Sequence, residues 1–167
     1  MASIESGGSW QQVPKFPLSN ILRHDEKESV GPNNVRNYWR SPDSDPVFVL
    51  NLGCNKTYSA VQLVNARNRH FKDIGTRKFR LYYQQLITKT KKKTLQRLYS
   101  GQCKEGPWTK VLEKELEDPR EQQDPLPLQI INLDKEATGQ FLKFELLSWW
   151  GWNGGLMYFS IYHADKA

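Results

Sequence analysis

Cysteine is nearly absent from this chain of 167 residues, with Cys54 and Cys103 the only two. So few exclude a disulfide framework and a cysteine-ligated zinc site, and whether this pair forms a single bridge is not decided by spacing. Histidine is scarce as well, and His24, His70 and His163 stand far apart in sequence. There is no H-E-x-x-H, G-x-S-x-G, P-loop or Rossmann glycine fingerprint, so no catalytic constellation is expected and the chain reads as non-enzymatic. Also missing is the uninterrupted apolar run of roughly eighteen residues that a membrane-spanning helix needs. The opening "MASIESGGSWQQVPKF" has no basic segment followed by an apolar one, as an export signal would.

What is present is aromatic and basic. Aromatic residues make up 12% of the chain, too many for a disordered segment, and the length suits one domain with a core of its own. The formal net charge is +6, with a pI near 9.3, which favours anionic partners without specifying a fold. The bias is uneven along the chain. From Thr88 to Lys110 the bases Lys89, Lys91, Lys92, Lys93, Arg97, Lys104 and Lys110 face one acid, Glu105, and Glu113 to Asp124 is then mostly acidic. Such runs are usually solvated surface, and Lys89, Lys91, Lys92, Lys93 and Arg97 are the candidates for binding an anion or a membrane.

The hydrophobic pattern is that of strands. "PVFVLNLG", "SAVQLVNA", "KFRLYYQ", "LQIINL", "QFLKFELL" and "GGLMYFSIY" are short, rich in Val, Ile, Phe and Tyr, and bounded by Gly, Pro, Asn or Asp. In "QFLKFELL", Leu142, Phe144 and Leu146 fall on one face and Lys143 and Glu145 on the other, the alternation of a half-buried strand. The lone helix candidate, "TKVLEKELED", equally suits a strand and its following loop. Short strands at regular spacing, with no internal repeat, predict an all-β sandwich or barrel. The expected domain spans 9–164, with 1–8 a flexible arm and 165–167 a tail.

The ordered series "SNIL", "NYWRS", "PVFVLNLG", "YSAVQLVNARN", "RKFRLYYQ", "GPWTKVL", "QFLKFELLS" and "WNGG" resembles the discoidin family, the coagulation factor V and VIII type C domain. It covers roughly Ser19 to Tyr162. The resemblance implies a galactose-binding-domain-like antiparallel jelly-roll sandwich with ligand loops at one end, serving binding or adhesion to carbohydrate, phospholipid or protein. It also implies structural roles for Trp39 and Trp108 as core anchors. Trp152, Asn153, Gly154 and Gly155 correspond to the family's structural turn, with the ring packed beneath it and the glycines at positive φ. Many carbohydrate-binding relatives hold a calcium ion near the chain ends. Here the compact Asp-Gly turn is missing and no carboxylate lies between Leu156 and His163, so no cofactor is expected, although Asp25, Glu26 and Glu28 are hard oxygen donors.

Two stretches carry the ligand-binding candidates. In "NARNRHFKDIGTRKF", a loop at the ligand end by the resemblance, Arg67, Arg69 and His70 offer the forked donors and the imidazole that suit sugar hydroxyls, while Asp73 is expected to pair with a neighbouring arginine. In "SWWGW", adjacent Trp149 and Trp150 leave a strand towards opposite sides, so at least one is expected at the surface as a stacking ring. The favoured partner is a glycan or glycoprotein. The alternatives are an intracellular protein-interaction scaffold and peripheral attachment to anionic membrane; nucleic acid is not expected. Location is left open between an extracellular module excised from a larger protein and a cytoplasmic complete chain.

Overall fold

The computed structural model describes residues 3–6, 18–22, 38–41, 46–67, 74–85, 107–123 and 125–162. Among these, the strands are β1 (Ser3–Ser6), β2 (Trp39–Arg40), β3 (Val47–Asn65), β4 (Thr76–Gln84), β5 (Thr109–Glu115), β6 (Gln129–Trp149) and β7 (Gly155–Tyr162). Every ladder is antiparallel, in the order β2-β7-β3-β6-β4-β5, with β1 added to β3. The fold is an all-β jelly-roll sandwich.

Two long strands turn one hydrogen-bonded surface into two layers. The first part of β3, Val47 to Asn51, pairs with Phe141 to Glu145 of β6, whose other side carries β4 and then β5. The second part of β3, Ala60 to Leu63, pairs with Gln129 to Asn132 of β6 on one side and with β7 on the other. Between these parts the register slips twice, and Gly53 takes a φ of 84°. Bulges and a left-handed glycine bend a strand without ending it.

Alternation puts Phe48, Leu50, Phe79, Leu81, Leu142, Phe144 and Leu146 of the larger layer into one core with Val61, Leu63 and Phe159 of the smaller. The rings of Phe48 and Phe79 stack on Phe144 at centroid distances of 4.8 and 4.9 Å. Phe159 meets Phe144 edge-on at 5.6 Å and Trp39 does so at 6.4 Å. Trp39 is fully buried, whereas Trp108 lies outside this core, half-buried against Val49 and Phe141 on the other face of the larger layer.

Two expectations change. "PVFVLNLG" and "SAVQLVNA" are one strand, and so are "LQIINL" and "QFLKFELL", because the polar links pair with each other: Lys56 lies opposite Gly139 and Thr57 opposite Thr138, their hydroxyls 2.8 Å apart. The arm expected over 1–8 contributes Ser3–Ser6 to the sheet edge. In "TKVLEKELED", of the two readings open, the strand is the one adopted, over Thr109–Glu115.

Replacing Phe144 by Ala removes the ring that the others contact. It should cost about 3–5 kcal/mol, a large part of the roughly 5–15 kcal/mol that holds a domain folded. Urea unfolding followed by far-ultraviolet circular dichroism reads this directly, and a midpoint equal to wild type would contradict the assigned core.

Candidate functional site

One end of the sandwich is tied together by buried amide side chains. Asn65 closes β3 onto β4: its Oδ1 accepts from the backbone N–H groups of Ala66 (2.9 Å) and Thr76 (2.8 Å), and its Nδ2 donates to the Thr76 carbonyl (2.9 Å). The Thr76 hydroxyl donates to the Gly155 carbonyl at 2.8 Å. Asn153 does the same for the turn after β6, its Oδ1 accepting from the Gly154 N–H (2.8 Å) and from the Ser41 hydroxyl. Gly75 donates to the Asn153 carbonyl at 3.0 Å and accepts from the Trp150 N–H at 2.7 Å. A buried amide that uses both its donor and its acceptor acts as a short strand and fixes the loops it joins.

This scaffold presents three tryptophans in different ways. Trp149 is 38% exposed and Trp152 is 83% exposed. Trp150 is half-buried, with the guanidinium carbons of Arg77 and Arg120 over its ring at 4.6 and 5.7 Å from the centroid. Gly151, at φ 82°, provides the left-handed step that separates Trp150 from Trp152. Both cations have carboxylate partners. Arg77 pairs with Glu115 at 2.8 Å, and Arg120 grips Asp118 through Nε at 2.9 Å and Nη2 at 2.5 Å. The Arg120 hydrogen bonds hold the Asp118 carboxyl below its usual range. Asp118 also accepts from the Arg120 N–H at 3.0 Å, capping the 3-10 turn Pro119–Glu121.

Several sequence expectations are corrected here. Trp152 does not pack beneath the turn. Asn153, 3% exposed, takes that buried place, and the ring beside it is pushed into solvent. Gly154 and Gly155 do not serve through positive φ. A Cβ at Gly154 would run into Leu146 and one at Gly155 into the Trp39 carbonyl, so both positions are small because other chain segments press on them. Arg67 is 4% exposed and is an anchor, not a surface ligand contact: Nη1 donates to the carbonyls of Pro119, at 3.0 Å, and Gln122. Those turn carbonyls lack ladder partners, and a guanidinium satisfies both.

Arg69, His70 and Asp73 lie outside the described residues, as do Lys89, Lys91, Lys92, Lys93, Arg97, Cys103 and the acids Asp25, Glu26 and Glu28. Cys54 is a free, exposed thiol. Among the described residues no three His, Cys, Asp or Glu side chains gather as metal ligands. Sequence reasoning missed Arg120 and Asp118, although "DPRE" carries the Asp-Pro start of a capped turn.

Alongside, on the outer face of the larger layer, Glu113 receives Lys78 and Arg80 at 2.6 Å each, with Lys110 at 4.0 Å. Hydrogen bonds from Lys78 and Arg80 push its carboxyl down to about 2.

Solved structures share this fold over nearly the whole chain. The chain is similar to the family 32 carbohydrate-binding module of Streptococcus pneumoniae EndoD, with TM-score 0.65 and 14% identity over 98% of this chain and 96% of that one. It is similar to the family 32 module of C. perfringens NanJ, solved with galactose, with TM-score 0.60 and 13% identity over 96% and 91%. An F5/8 type C domain of Bacteroides fragilis superposes with TM-score 0.62 at 7% identity over 98% and 90%. The chain has the discoidin-type, galactose-binding-like jelly-roll fold. No family model and no curated protein matches it. Within this discoidin-type sandwich, Trp149 ends the long strand β6, Trp150 and Trp152 follow it, and Asn65, Asn153 and Arg67 form the packed end.

Two outcomes follow. Trp152→Ala should leave the melting temperature within about 2 °C of wild type, since an exposed ring adds little to stability, while iodide quenching of tryptophan fluorescence falls; a large destabilisation would contradict its exposure. Because the folded carboxyl of Glu113 lies below its ordinary value of 4.5, its stabilising contribution is present above that pH and is lost as pH falls through about 2. Glu113→Gln should therefore flatten the acid limb of the unfolding curve across that window, and an unchanged limb would contradict the pairing.

Proposed function

We propose that this chain is a non-catalytic carbohydrate-binding module whose ligand stacks on Trp152, with Trp149 beside it. The observation that carries the reading is the pair of exposed indoles on a clamped turn at the loop end of a fold shared with carbohydrate-binding modules. A pyranose presents an apolar C–H face that suits an indole, and its hydroxyls suit polar groups at the rim. The polar groups gathered on the intervening Trp150 are Arg77 and Arg120, paired with Glu115 and Asp118. Each guanidinium is neutralised by a carboxylate, so an anionic ligand would have to displace a bonded acid. A neutral sugar has no such cost, and the NanJ module was solved with one, galactose.

Titration with galactose and a glycan array, read by tryptophan fluorescence, tests this. Trp152→Ala should weaken binding at least about tenfold, or about 1.4 kcal/mol. Because the ligand is neutral, affinity should barely change between about 50 and about 500 mM salt. Binding to phosphatidylserine vesicles with no glycan bound would replace this reading with a membrane one, to which an exposed tryptophan on a chain of net charge +6 is also suited.

A further inference from the structure

Among the described residues at this end of the sandwich, Arg67, Arg77 and Arg120 are directed at the protein. Arg67, on the chain just past β3, binds the carbonyls of Pro119 and Gln122, the residues on either side of Arg120 and Glu121. The turn closes on itself through Gln122 N–H to the Pro119 carbonyl, at 3.3 Å. It is pressed against β4 as well: a Cβ on Gly75 would stand 2.6 Å from Pro119 Cγ, and Leu116 N–H donates to the Arg77 carbonyl at 2.7 Å. Out of this fixed segment Arg120 reaches over Trp150, oriented by Asp118, and from β4 Arg77 reaches over the same ring, oriented by Glu115. Trp150 in turn donates its backbone N–H to the Gly75 carbonyl. The path from the buried guanidinium to the aromatic turn is continuous.

We propose that Arg67, Arg77, Arg120 and Asp118 are positioning residues, a strut over 115–122 that fixes the Trp150 ring and through it the angle at which Trp149 and Trp152 are presented. The sugar-binding consequence rests on the function proposed above; the orientation of the indoles does not. The stack needs a planar cation, because a guanidinium lies flat on an indole and keeps its edge free for the carboxylate, which an ammonium cannot do. Losing one such contact at an exposed site corresponds to about a three- to fivefold change in an equilibrium. The indoles on either side should then sample further orientations.

The test labels the full chain with 5-fluorotryptophan and assigns Trp39, Trp149, Trp150 and Trp152 in fluorine NMR through single Trp→Phe variants. Arg120→Met, Arg120→Lys and the double variant Arg77→Met with Arg120→Met keep the buried Arg67 anchor and so keep the fold. The resonances of Trp149 and Trp152 should shift or broaden along with that of Trp150 while Trp39 in the core stays in place, and Arg120→Lys should fail to restore them. On the same samples, galactose affinity should fall by about three- to fivefold for each single variant. Unchanged Trp149 and Trp152 resonances in the double variant overturn the proposal, as does full restoration by Arg120→Lys. If the resonances move but wild type binds no galactose, the strut stands and the sugar reading is what fails. If galactose binds while the resonances stay fixed, the reverse holds.

Discussion

The ring of Phe144 is where the two layers become one body. It lies on β6 between the nearly parallel rings of Phe48 and Phe79, at interplanar angles of 5° and 12°, and it receives the edges of Trp39 and Phe159 from the smaller layer. Stacking spreads apolar contact along one layer, and edge-on contact joins one layer to the other. These geometries require β3 and β6 to hold their register at Phe48 opposite Phe144, and that register sets where each strand bends further along. A slip of one residue would turn Phe144 outward and put Lys143 or Glu145 into the core. The positions of the loops at the far end follow from this constraint.

At that end the problem is different, because turns carry backbone groups that no ladder satisfies. Asn65 and Asn153 solve it from within, and Arg67 solves it at a distance, joining the end of β3 to a turn more than fifty residues later in sequence. Each is buried and each has bonded partners, so the end of the sandwich holds its shape without being apolar. Rigidity matters because two large indoles are exposed there, and an aromatic surface that is already fixed loses less entropy when something binds it.

The fold was legible wherever burial follows a local period. Leu142, Phe144 and Leu146 are inward and Lys143 and Glu145 are half-exposed, as alternation requires. What was not legible is continuity. Cys54 to Thr57 and Asp134 to Glu136 are polar and exposed and so read as loops, yet they belong to β3 and β6, which run through them with Lys56 and Thr57 paired to Gly139 and Thr138. The candidate site was half legible for a similar reason. That one of the adjacent rings Trp149 and Trp150 reaches the surface follows from strand parity, but parity ends at Gly151, whose positive φ sends Trp152 outward. Arg67 looked like a ligand contact because an arginine in a polar loop usually faces water. Its true partners are carbonyls that only the folded topology brings near it.

The charges around the turn fit the same logic. The chain is basic, and a guanidinium left unpaired at this end would ordinarily attract any anion in the medium. Glu115 and Asp118 cancel that attraction locally, while the flat faces of Arg77 and Arg120 remain on Trp150. A carboxylate bonded to the edge of a guanidinium leaves its face free for an indole, so one cation meets both demands without competition. An aliphatic side chain would support the ring but leave the carboxylate unpaired. A lysine would answer the carboxylate but leave the ring without a flat partner. The sequence therefore places an arginine on each of two separate segments, β4 and the turn Pro119–Glu121, and an acid within reach of each, to hold one half-buried tryptophan between two exposed ones.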